Sequence, residues 1–233
     1  MYITNVSHFN CQGYDTTACQ DTIYLLDNGN TAVYSLADGV NSKQLSAFGA
    51  KAVQEDLAAY AINCSQFIFS APDSWVKKSF IEQIKTTLFR LSQKHRIPSE
   101  EFASTLLFVA LSKKFGKCKW IHIGDGAILK KEVGQAAPQI ISYPHNGITP
   151  EYTFTTASQQ LERYLHIGNE NLESIEKLFL ATDGAFLPFY YQRNLTDLGK
   201  QAFSAGIRNL YDTLLDFLPR DDFSILEISV TSH

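Results

Sequence analysis

The sequence predicts an α+β sandwich, with antiparallel strands at its centre and helices packed outside. Three observations predict it. Apolar residues alternate over several short runs, the apolar period lengthens to helical spacing between some of them, and short turns join neighbouring runs. Strands joined by short turns pair antiparallel, and helices then cover the sheet faces.

The first strands are expected at Thr22–Leu26 and Ala32–Ala37. Helical spacing follows, with Leu45, Phe48, Ala52, Val53 and Tyr60 on one face. A second helix carries Val76, Phe80, Ile84, Leu88 and Leu91, and Ser70 with Asp73 reads as its capping box. Alternation returns at Thr105–Leu111, Lys119–Ile123, Ala127–Lys131, Gln139–Ser142 and Lys177–Thr182. A third helix after Thr196 uses Leu198, Ala202, Leu210, Leu214 and Leu218, and the last strand is Phe223–Val230.

The chain has 233 residues, 45% hydrophobic and 19% charged, which is ample for a buried core. No repeat, low-complexity stretch or Pro/Gly-rich linker divides it, so residues 1–233 read as one domain. A net charge of −4 without a basic stripe argues against a nucleic-acid partner. Cys11, Cys19, Cys64 and Cys118 form no C-x-x-C pair, which argues against a disulfide framework or zinc ribbon. The start MYITNVSHFN lacks the pattern of a secretion signal, and no apolar run is long enough for a bilayer. A cytoplasmic protein with no membrane association is expected.

Aspartates stand in a recurring setting. Asp38 closes TAVYSLADG, Asp125 closes KWIHIGDG and Asp183 closes EKLFLATDG, each after an apolar run and before glycine. Asp221, beside Asp222, precedes FSILEISV, and Asp21 heads the first strand. A charged carboxylate at a buried strand end is costly unless a positive charge meets it. Taken singly, Asp125 reads equally as the turn of a type I′ hairpin, and Asp221 reads equally as a surface partner of Arg220. Asp38 and Asp183 lead into loops or helices, where a scaffold exposes functional groups. Together they suggest one centre for hard cations, because no histidine shows ligand spacing and all-oxygen donors suit Mg²⁺ or Mn²⁺. Such centres serve phosphate chemistry.

The order of these motifs resembles the metal-dependent serine/threonine protein phosphatases, the PPM or type 2C family, and especially their compact bacterial branch. ACQD at Asp21 is similar to the opening element, LADG to the central D-G, and FASTLL with Ser104 and Thr105 to the G-[ST]-T strand. IHIGDGAIL, LFLATDG and RDDFSILEI follow in the family order. The resemblance implies a four-layer α-β-β-α sandwich of two antiparallel sheets with helices outside.

It also implies roles. Asp38 would bridge two Mn²⁺ or Mg²⁺ ions and Gly39 would bind one through its carbonyl. Asp183 and Asp221 would complete the first ion's ligands, Asp21 would hold a water on the pair, and Asp125 with Asp183 would support a third ion. Asp38 and Asp183 would thereby be catalytic. Many members carry an arginine that grips phosphate five residues before Asp21, where this chain has Thr16. Lys43 or His145 would take that role. Val40 replaces a histidine found in some members, and NSKQLS replaces a glycine-rich stretch. The stretch Gln135–Asn171 corresponds to a variable flap, with turn formers Pro144, Asn146-Gly147 and Pro150.

The expected activity is hydrolysis of phosphoserine or phosphothreonine on a protein, opposing a serine/threonine kinase, by a monomer. The alternatives are a catalytically weak phosphoprotein-binding adaptor and a small-molecule phosphoesterase. Retention of the aspartates opposes the adaptor.

Overall fold

The computed structural model describes residues 2–146 and 153–232. Gly147 and Pro150, among the expected turn formers, lie outside the described residues. Along the chain come strands β1 (Tyr2–Cys11), β2 (Thr22–Asp27) and β3 (Thr31–Ala37), then helices α1 (Ser46–Asn63), α2 (Ser65–Ser70) and α3 (Asp73–His95). Next are β4 (Leu106–Ser112), β5 (Lys117–Ile123), β6 (Ala127–Glu132), β7 (Gln139–Ser142), α4 (Leu161–Tyr164), β8 (His166–Asn171) and β9 (Ile175–Ala181). The chain continues with α5 (Asp183–Phe186), β10 (Tyr190–Tyr191), β11 (Asn194–Leu195), α6 (Asp197–Ala205), α7 (Ile207–Phe217) and β12 (Phe223–Ser232).

Two antiparallel five-stranded sheets result, ordered β1-β12-β9-β6-β7 and β2-β3-β4-β5-β8, beside the small β10–β11 ribbon. One buried cluster joins them face to face through Tyr34, Leu36, Leu107, Val109, Leu180 and Leu226. A second packs α1 and α3 on the β2–β8 sheet, where Phe80 meets Phe108 edge-on with centroids 5.4 Å apart. The third packs α6 and α7 on the other sheet through Phe179, Phe203, Leu210 and Leu214. The layers are therefore helix, sheet, sheet, helix. Lys130 of β6 adds a polar tie between the sheets, its ammonium 2.7 Å from Glu170 of β8. No described helix is long and apolar enough to cross a membrane.

The expected strands form, and two more join them. β1 pairs along its length with β12, and the polar segment HIGNEN forms β8 on the edge beside β5. Gly168 admits the Trp120 ring there, since a Cβ would come within 2.2 Å of it.

Three local expectations are corrected. The Asp125 segment is not a hairpin: β5 lies in one sheet and β6 in the other. Of Gly124, Asp125 and Gly126, only Gly124 has positive φ, +115°, so the type I′ requirement of two positive angles is unmet. Ser70 and Asp73 form no capping box, because Ser70 ends α2 and Pro72 is the cap of α3 without a side-chain bond. The Asp73 carboxylate instead takes Lys119 at 2.6 Å and Asn169 at 2.7 Å. Finally, the last helix is two, broken at Gly206 with φ +95°. Leu198, near the start of α6, and Leu218, just past the end of α7, are exposed.

Candidate metal centre

Strand register explains why the aspartates converge. In one sheet Ala181 pairs with both Ala127 and Ile225, so the ends of β9, β6 and β12 share an edge. In the other, Thr22 pairs with Ala37 and Leu106 with Ile123. Asp21, Asp38, Asp125, Asp183 and Asp221 sit just beyond these strand ends. Carboxylate oxygens of Asp38, Asp125 and Asp183 lie within 4.8 Å of one another. They line a cavity of about 1310 Å³ together with Asp221 and Gly39.

Each carboxylate has a scaffold. The Asp38 amide donates to the Thr105 hydroxyl oxygen at 2.9 Å, and the Asp38 carbonyl accepts the Thr105 amide at 2.8 Å. Gly39 lies against Ser46, where a Cβ would come within 2.7 Å of Oγ. Asp183 opens α5, with the Gly184 amide donating to Oδ1 at 2.8 Å. Asp221 accepts Asn41 at 3.1 Å, and the Thr153 hydroxyl donates to Asp125. Asp21 is buried behind the cavity and accepts the Thr182 hydroxyl at 3.1 Å on Oδ2, while its Oδ1 is buried without a partner. Nothing in the sequence pattern marks Thr105 and Thr182 as supports, yet the Thr105 hydroxyl accepts the Asp38 amide and the Thr182 hydroxyl donates to the Asp21 carboxylate.

Electrostatics follow from crowding. Desolvation, then repulsion from Asp21, Asp183, Asp221 and Asp125, pushes Asp38 well above the usual carboxylate range. Asp183 is pushed up to about 8, first by burial and then by Asp125 and Asp221. Burial lifts Asp21 to about 7, and it raises Asp125 against the opposing Thr153 hydrogen bond. Protons or cations must offset this cluster. The clustered groups are carboxylates, and none of the described residues lining the cavity is His or Cys. That donor set fits a hard divalent cation.

The two expected phosphate-binding residues separate. Lys43 lines the cavity. His145 is not among the described lining residues; its ring packs against Phe154 and Tyr164 and lies 3.4 Å from His166 Nε2. Thr16 is also absent from that lining, because its hydroxyl donates to Asp222 Oδ1 at 2.7 Å. Asp222, next to Asp221 in the chain, also accepts the Gly13 and Gln20 amides.

Residues 13–218 match the family profile described as Protein phosphatase 2C. No curated protein sequence matches the chain. Among solved structures, a bacterial serine phosphatase is similar over 99% of each chain at 15% identity and a TM-score of 0.69. The serine/threonine phosphatase Stp1 from Staphylococcus aureus is 14% identical at a TM-score of 0.68, covering 99% of this chain and 96% of that one. The catalytic domain of the serine threonine protein phosphatase PstP, in complex with 2 manganese ions, is 14% identical at 0.68 over 100% of each chain. At such identities the likeness is one of fold.

Proposed function

The chain belongs to the protein phosphatase 2C family, and from that membership we propose that it is a divalent-cation-dependent serine/threonine phosphatase. The observation that carries the reading is the approach of Asp38, Asp125 and Asp183 to within 4.8 Å beside an open cavity. Carboxylates this close and this desolvated favour cations as their counter-charge. Asp38, Asp183 and Asp221, with the Gly39 carbonyl, would hold two Mn²⁺ or Mg²⁺ ions, and Asp125 with Asp183 a third. Bound there, the ions supply Lewis acidity toward a phosphoryl oxygen and lower the pKa of water toward neutrality.

The chain's own contribution is placement. Thr105 orients Asp38 through its reciprocal backbone contacts, and Thr182 orients Asp21. The unpartnered Asp21 Oδ1 would accept a proton donor at the centre. The breadth of the cavity, about 1310 Å³ and open enough to be lined from both the Asp38 loop and the Thr153–Gln160 segment, suits a phosphorylated protein segment. The opposing partner would be a serine/threonine kinase, in the cytoplasm.

The test is turnover of a phosphopeptide with Mn²⁺, Mg²⁺ or excess chelator, in wild type, Asp38→Asn and Asp183→Asn. Metal-dependent turnover that both variants lose is the expected result. Undiminished turnover in chelator overturns the reading, and metal binding without turnover of any phosphomonoester moves it to the adaptor alternative.

A further inference from the structure

Among the described residues lining the cavity, Lys43 is the only lysine or arginine. Its backbone is pinned: the Lys43 amide donates to the Val40 carbonyl at 2.8 Å, and its carbonyl accepts the buried Ser46 hydroxyl at 3.0 Å. This turn follows directly on Asp38 and Gly39, so the lysine stem springs from the same loop as the proposed ion ligands. The ammonium lies 2.9 Å from Glu101 Oε1, with the two side chains 31% and 35% exposed. An ion pair this open to water adds little net stability and exchanges partners readily. An ammonium has three donors and a phosphomonoester is dianionic, so phosphate at the cavity is a stronger partner than one carboxylate.

We infer that Lys43 binds the substrate phosphate and that Glu101 is its resting counter-ion, displaced when phosphate arrives. The inference rests on the phosphatase reading and adds to it a substrate-binding residue and a built-in competitor. Glu101 is the ammonium's partner in the absence of substrate. It also sets a penalty on weak anions, because any incoming anion must outcompete it. Removing the two partners therefore has opposite consequences for phosphate, which an ion pair serving only as a brace does not produce.

The experiment titrates inorganic phosphate into the Mn²⁺-loaded full chain by calorimetry and measures phosphopeptide kinetics in parallel. Lys43→Ala weakens phosphate binding and raises KM about tenfold with kcat little changed, the loss of one charge-assisted contact. Lys43→Arg retains most of the affinity. Glu101→Gln tightens phosphate binding about threefold, the release of a weak exposed pair. Thermal melting confirms that each variant is folded. Unchanged phosphate affinity in Lys43→Ala overturns the inference, as does weakening in Glu101→Gln equal to that in Lys43→Ala. A wild type that loads Mn²⁺ yet neither binds phosphate nor turns over phosphopeptide overturns the phosphatase reading itself.

Discussion

The Thr16 hydroxyl donates to the Asp222 carboxylate at 2.7 Å, joining residues 206 positions apart. Asp222 also accepts the Gly13 amide at 2.9 Å and the Gln20 amide at 2.7 Å, so one buried carboxylate closes the loop before Asp21. Gly13 packs so tightly on the Asp221 backbone that a Cβ would come within 2.2 Å of it. Thr16 is thus committed to Asp222, the residue beside the proposed ligand Asp221.

Asp222→Ala leaves the Gly13 and Gln20 amides without their acceptor and is expected to cost about 3 kcal/mol. Thr16→Val removes one hydroxyl donor and costs about 1 kcal/mol. Urea denaturation checks both. Equal costs would contradict the view that Asp222 is the hub.

Metal should invert the stability profile. The folded-state pKa of Asp183, about 8, lies above its ordinary 3.8. A raised carboxyl stabilises fully below the ordinary value, and that contribution is lost as pH rises toward 8. The metal-free protein is therefore expected to melt lower at alkaline than at acidic pH across this window. Mn²⁺ at about a hundred times its Kd adds about 2.7 kcal/mol, and its effect grows with pH. Asp183→Asn abolishes the Mn²⁺ response yet leaves the metal-free protein at least as stable. Calorimetric scans at several pH values measure each of these outcomes.

His122 supplies an opposite dependence. Burial, helped by His166 and His145, holds it down at about 3 from 6.5, while Nδ1 meets the Ser142 hydroxyl at 2.7 Å. A base depressed on folding stabilises fully above 6.5 and loses that contribution as pH falls toward 3. The expected loss is about 1.4 kcal/mol per pH unit in that window, and His122→Phe flattens it. An unchanged acid limb in the variant would show that other groups dominate.

Gly184 follows Asp183 at the start of α5, where a Cβ would lie 2.2 Å from the Asp222 carbonyl oxygen. Gly184→Ala is expected to cost about 1–3 kcal/mol by overpacking. It should also weaken Mn²⁺ binding, since Asp183 and Asp222 are pushed apart. Melting with and without Mn²⁺ separates the two effects.

Most of the strands were legible because apolar alternation reports a half-buried sheet directly. β8 was not, since HIGNEN has no apolar run; its edge position comes from pairing with β5. Ile-Gly-Asp-Gly reads locally as a hairpin, yet β5 and β6 part into different sheets. Choosing between those outcomes needs the partners β8 and β9, which lie far along the chain. The same limit hid Asp222, whose neighbours Gly13, Thr16 and Gln20 are distant in sequence.

By itself the sequence determined the α+β class, the order of its motifs and the aspartates placed at strand ends, because periodicity and residue chemistry are local properties. Tertiary structure alone decided which of them meet. Strand register draws Asp38, Asp125 and Asp183 to within 4.8 Å, leaves Lys43 on the cavity wall, and turns Thr16 to Asp222. Those choices depend on pairing and packing between distant segments, where desolvation and mutual repulsion, rather than local propensity, set the outcome.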